Sequence, residues 1–169
     1  AKSQYVARQA GGLVIFAIVF FIWCYGRLLR DKLDVRLAAG ESDFTAVDAL
    51  PMLQDRSIGL VQPDVARAGG ITETWRIAEL AQSFNVAYAP HVGWSGAICV
   101  AASLQLAAAA ENCLAFECMV YRNPLREALL MEPVGDPATM VDGALPVPAG
   151  PGLGITLDRA ALAAHRITE

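Results

Sequence analysis

The spacing of apolar and polar positions changes several times along the chain, and each change predicts an element. Residues 1–24 stand apart. Gly11-Gly12 opens an uncharged apolar run, Leu13 to Cys24, flanked by Arg8, Arg27 and Arg30. Counted from Ala10 to Tyr25 this is about 16 residues, roughly 24 Å as a helix against about 30 Å of hydrocarbon. It predicts an apolar N-terminal helix, read either as a membrane anchor or as a buried segment. No small-residue cleavage site follows it, which argues against a cleaved signal. The first residue is Ala rather than Met, which suggests a processed or partial product. Arg27–Leu33 then carries Leu28, Leu29 and Leu33 on one helical side.

From Val35 onward short apolar runs alternate with helical patterns. Val35–Ala39 predicts a strand that ends in Gly40-Glu41-Ser42. Asp43–Arg56 predicts a helix in which Pro51 marks a break or a new first turn. Ile58–Val61 predicts a second strand, closing at Gln62-Pro63-Asp64. After Gly69-Gly70 a helix starts at Ile71 or Thr72, with Ile77, Leu80, Ala81 and Phe84 on one stripe and Asn85 at its end. Val86–His91 is the third strand. Ser95 is the expected N-cap of an Ala-rich helix, Gly96–Ala110, apolar nearly all round and so expected to be covered on more than one side. Leu114–Glu117 is the fourth strand. Beyond Tyr121 the alternation stops and turn chemistry takes over, with a last helical turn or two in Asp158–His165.

Strands separated by helices at this spacing run parallel with helical crossovers. The choice lies between an open doubly wound sheet and part of a (β/α) barrel. No Gly-rich phosphate loop follows any strand, which favours the barrel. The fold expected is α/β, a partial TIM-type barrel of about four βα units, with an apolar N-terminal helix and an irregular C-terminal tail. The expected organisation is 1–24 as the apolar segment, 25–120 as half a barrel and 121–169 as a wrapping tail.

Composition narrows the function. With a net charge of -4 over 169 residues, nothing favours a polyanion, so nucleic acid is excluded as the expected partner. The only lysines are Lys2 and Lys32, which leaves little room for a lysine base. Cys24, Cys99, Cys113 and Cys118 form no CxxC pair, and no His stands at zinc-ligand spacing; buried free thiols in a reducing cytoplasm are the expectation. His165, near the terminus, reads as a surface residue.

The chemistry gathers at the strand ends. Glu41, Asp64, His91 and Glu117 close four successive strands, and in a parallel barrel those ends form the active-site rim. Each also has a plainer reading. Glu41 could cap the following helix and Asp64 could be a loop or cap residue. His91 could be structural, and Glu117 an ordinary strand-end carboxylate. Arg67 and Gly69-Gly70 read as loop geometry.

Taken together, Ala39-Gly-Glu-Ser42, Gln62-Pro-Asp-Val-Ala-Arg-Ala-Gly-Gly70, Ala89-Pro-His91 and Phe116-Glu117 resemble the mandelate racemase/muconate lactonizing enzyme branch of the enolase superfamily. Gly150-Pro-Gly-Leu-Gly154 resembles that family's C-terminal signature. The resemblance runs from about Tyr25 to the end and implies Mg2+-assisted removal of the proton α to a carboxylate. It implies His91 as general base with Asp64 holding its tautomer, Glu41 as a metal-ligand carboxylate, and Glu117 as the protonated acid that hydrogen-bonds the enediolate oxygen. The implied substrate is a small carboxylate or sugar acid, dehydrated, racemised or epimerised. Members normally also carry an N-terminal capping domain, a Lys-x-Lys pair and two further acidic metal ligands, and none of these occurs in this sequence. The expectation is therefore a C-terminal part, nearly inactive by itself and binding Mg2+ weakly or not at all. The alternative is a non-catalytic remnant, anchored to a membrane through residues 10–25 or self-associating as a homo-oligomer to cover its half-barrel.

Overall fold

The computed structural model describes Lys32 and residues 35–167. The predicted apolar helix, most of Arg27–Leu33 and Cys24 lie outside these residues. All elements named below belong to one compact unit, Ala38–Glu169.

The strands are shorter than their apolar runs: β1 is Ala38–Ala39, β2 Leu60–Val61 and β3 Ala87–Tyr88. They form one parallel sheet in the order β1-β2-β3, with Ala38 opposite Leu60 and Leu60 opposite Ala87. Backbone bonds carry the pairing on to the C-terminal rim. Gln62 N–H donates to Ala39 O at 2.8 Å, and His91 N–H to Pro63 O at 3.1 Å, so that Asp64 and His91 face one another as bridge partners.

The expected fourth strand, Leu114–Glu117, is corrected to a single bridge between Tyr88 and Cys113. Tyr88 N–H donates to Asn112 O at 2.9 Å and Leu114 N–H to Tyr88 O at 2.8 Å. The next donor on β3 in this register is residue 90, a proline without an N–H, and the ladder ends there.

The first helix, α1 (Ala46–Gln54), starts in a capping box in which Thr45 and Asp48 satisfy each other's backbone N–H. Thr45, not Glu41, is thus the cap. Pro51 lies inside α1 and does not break it, contrary to the expectation. Its missing N–H deprives the carbonyl of Val47, a residue 75 % exposed, while Ala49 and Leu53 on the other side are fully buried. Core packing outweighs one lost helical bond, and water can serve the freed carbonyl.

Helix α2 (Ile71–Ser83) begins at Gly70, whose φ of 98° suits glycine; it buries Ile77 and Ala81 of the expected stripe together with Thr74 and Ala78, while Leu80 and Phe84 are only partly buried. Helix α3 (Ala97–Ala109) is capped at Gly96 with no side-chain bond, rather than at Ser95. Ser95 N–H instead closes a turn onto Val92 O. The lack of polarity around α3 follows from its two covers. Ala102 and Leu106 pack with Val65 on one side, and Val100 and Leu104 pack with Val92 on the other. A larger core under α1 and α2 gathers Leu53, Val61, Ile77 and Tyr88.

The tail holds α4 (Pro124–Ala128), a 3-10 turn (Pro137–Thr139) and α5 (Arg159–Ala164), the last being the expected final helical turns, capped by Asp158. Gln105 on α3 ties it down by donating to Pro148 O at 2.8 Å and Leu153 O at 3.3 Å. Among the described residues no helix is long and apolar enough to cross a membrane.

Candidate active site

Asp64 follows β2 in a turn that its own side chain closes. Oδ1 accepts the N–H of Ala66 at 2.8 Å and of Arg67 at 3.3 Å, a local arrangement that aspartate favours. Both backbone donors aim the other oxygen, Oδ2, at His91, and the residue is only 5 % exposed. Arg67 and the Gly69-Gly70 pair complete this loop and the start of α2, the loop role their sequence suggests.

His91 lies directly across, its Nδ1 2.9 Å from Asp64 Oδ2. A carboxylate can only accept, so a neutral ring carries its proton on Nδ1 and leaves the Nε2 lone pair free. Nε2 faces Glu41 Oε2 at 3.5 Å and Glu117 Oε2 at 3.9 Å. All four side chains singled out in the sequence therefore meet around one imidazole.

Two glycines make room for this arrangement. Gly40, at φ 118°, lets Glu41 leave β1 where a Cβ would stand 3.1 Å from Val61 Cγ2. Gly93, at φ 43°, passes so close over the ring that a Cβ would lie 2.8 Å from His91 Cε1. The same loop places Glu117, whose Oε2 accepts Val92 N–H at 2.7 Å and Gly93 N–H at 3.4 Å. The loop following the base thus holds the second acid.

Sequence reasoning missed Trp94 and Tyr121. They sit on the loops after His91 and after Glu117, each about two-thirds exposed, with near-parallel rings at a centroid distance of 6.3 Å. Both are aromatic residues within four positions of a site residue, the one signal that could have marked them.

The cysteines Cys99, Cys113 and Cys118 are free, as expected, but half-buried rather than buried. Burial pushes the thiols of Cys113 and Cys118 up, away from the thiolate form. His165 is exposed, as expected, and its Nδ1 contacts Ala161 O at 2.8 Å. A metal fits the residues present poorly. Among the described residues no three His, Cys, Asp or Glu side chains could hold an ion. The Glu41 side chain is 62 % exposed and turned toward His91 Nε2.

Comparison with known proteins gives the family. The sequence model described as "Enolase C-terminal domain-like" matches residues 26–161. Over 141 residues the chain is 33 % identical to D-xylonate dehydratase of Haloferax volcanii, covering 83 % of this chain and 33 % of that protein. Over 145 residues it is 32 % identical to D-galactarolactone cycloisomerase of Agrobacterium fabrum, covering 80 % and 36 %. A crystal structure of a mandelate racemase/muconate lactonizing enzyme from Jannaschia sp. CCS1 superposes with a TM-score of 0.67 at 35 % identity, covering 80 % of this chain and 33 % of that one. The chain spans about a third of the length of these relatives.

Proposed function

The chain belongs to the enolase C-terminal domain-like family, and on that premise we propose that it is the base-bearing part of an acid-sugar dehydratase or a racemase/epimerase. The observation that carries this reading is the Asp64–His91 pair, with Nδ1 held at 2.9 Å and Nε2 turned toward two carboxylates. Nε2 takes the proton from the carbon α to the substrate carboxylate, and the C–H electron pair moves into an enediolate. Asp64 keeps the ring oriented and balances the imidazolium that forms. Glu117, braced by two backbone N–H groups, stands where the family resemblance implies the acid that hydrogen-bonds the enediolate oxygen. Dehydratase and cycloisomerase relatives support carboxylate or lactone sugar derivatives as the substrate class.

The family resemblance implies Mg2+, a hard cation that takes about six oxygen ligands. Glu41 is one such carboxylate, and the rest of the set does not occur among the described residues. We infer that this chain needs a complementary half to turn over.

The test is a chimera in which residues 26–161 replace the matching third of the Haloferax D-xylonate dehydratase. Exchange of the substrate α-proton in D2O is followed by NMR. We expect exchange in the chimera, none from this chain alone with Mg2+, and a loss of at least ~100-fold on His91→Asn. Robust exchange by the chain alone overturns the need for a second half. Exchange that survives His91→Asn overturns the base assignment.

A further inference from the structure

The tail contains a charge that its surroundings leave unanswered. Arg126, on the first turn of α4, is 7 % exposed, the only buried cationic side chain among the described residues. Its backbone N–H donates to Asn123 Oδ1 at 3.1 Å, and its guanidinium nitrogens, not sealed from solvent, make no hydrogen bond or ion pair with any described residue. The neighbouring carboxylates are engaged elsewhere. Glu127 is bonded by Arg122 Nε at 3.2 Å, and Asp136 caps the 3-10 turn through Ala138 N–H at 2.9 Å. An arginine is charged at any physiological pH, and a guanidinium largely withdrawn from solvent without a protein partner favours an anion beside it.

The guanidinium lines a cavity of about 680 Å³, walled by Met119, Tyr121, Leu130, Val134 and Asp136. That volume suits a small molecule. Its walls mix apolar and charged side chains, and the planar guanidinium fork matches a pair of oxygens on one centre.

We propose that this cavity is a binding site for a small oxyanion held by Arg126, separate from the Asp64–His91 pair. Carboxylate and phosphate share the chemistry that the fork recognises. Arg122, Glu127 and Asp136 also line the cavity; Arg122 is paired with Glu127, which leaves Asp136 to disfavour a dianion, so a singly charged carboxylate is the better occupant. The site does not rest on the catalytic reading above, and its test uses no turnover.

Acetate and inorganic phosphate are titrated separately into the 15N-labelled chain at constant ionic strength, kept with sodium chloride. The backbone amides of Met119–Arg122 and Arg126 are followed by NMR. We expect saturable shifts, acetate acting at lower concentration than phosphate, and at least tenfold weaker binding in Arg126→Met. The exposed Arg122→Met variant should keep the response. Phosphate acting at lower concentration than acetate also supports the site and names phosphate as its source. Linear, non-saturating shifts in the unsubstituted chain overturn the proposal whatever the variants do, and so does an equal response in Arg126→Met.

Discussion

At the scale of single residues, Asp64 has two tasks that one oxygen each performs. Oδ1 closes its own turn onto Ala66 and Arg67, and Oδ2 sets the His91 tautomer. Asp64→Asn separates the two. The amide oxygen must stay on the backbone N–H groups, so the NH2 faces Nδ1 and the ring proton moves to Nε2. Long-range 15N–1H spectra of the His91 ring should therefore show the tautomer exchanged, and an Nδ1–H ring in the variant would contradict the geometry. Gly93→Ala acts from the other side, through a left-handed backbone and a 2.8 Å approach to His91 Cε1. It should cost about 1–2 kcal/mol, read as a lower urea midpoint, together with a shifted His91 ring signal. An unchanged midpoint and ring signal would place the loop elsewhere. Glu41, Asp64 and His91 were legible in sequence because parallel strands deliver the residues that follow them to one rim. The brace on Glu117 was not, since it comes from backbone groups of a loop 24 and 25 residues away.

At the scale of elements, α1 and α2 are stitched at their starts. Glu73, in the first turn of α2, accepts Ala46 N–H of α1 at 2.9 Å and pairs with Arg76. The backbone bond first, and Arg76 second, hold its carboxyl below the ordinary value of 4.5. A lowered folded-state value means that this stabilisation is present above the unfolded value and is lost as pH falls through the folded one. Urea midpoints measured from neutral pH down into the acid range should fall further for the unsubstituted chain than for Glu73→Gln. Parallel curves would show that the stitch contributes nothing. Helix α2 was legible almost to the residue because one apolar stripe and a double glycine bound it. The continuity of α1 through Pro51 was not, because the weight of Ala49 and Leu53 is visible only once the core is assembled.

At the scale of the whole molecule, the tail covers α3. Leu153 and Leu145 pack onto the two α3 clusters, and Gln105 fastens the Pro148–Leu153 loop. Gly154, at φ 72°, lets this loop close where a Cβ would meet Pro148 Cβ at 2.6 Å and its carbonyl oxygen at 2.8 Å. Gly154→Ala collides with backbone, which cannot swing aside, and should open the loop. Amide hydrogen exchange in residues 148–158 should quicken at least tenfold, with that of α2 unchanged. Equal protection in both proteins would mean that the loop does not need this glycine. The tail's turn chemistry was legible from its Pro and Gly residues. Its attachment to α3 was not, because a glutamine in an Ala-rich helix carries no local sign of its partners.

What the sequence determined alone was the alternation of the first three strands with helices, their parallel sense and the kind of side chain that follows each of them. These follow from residues close in the chain, through apolar periodicity and the handed geometry of crossovers. What tertiary structure alone decided was register: Asp64 opposite His91, 27 positions apart, and a fourth strand ended by the missing donor of Pro90. Pro90 is plain in the sequence, but which partner it fails to bond depends on how two distant segments align, and no local pattern encodes that alignment.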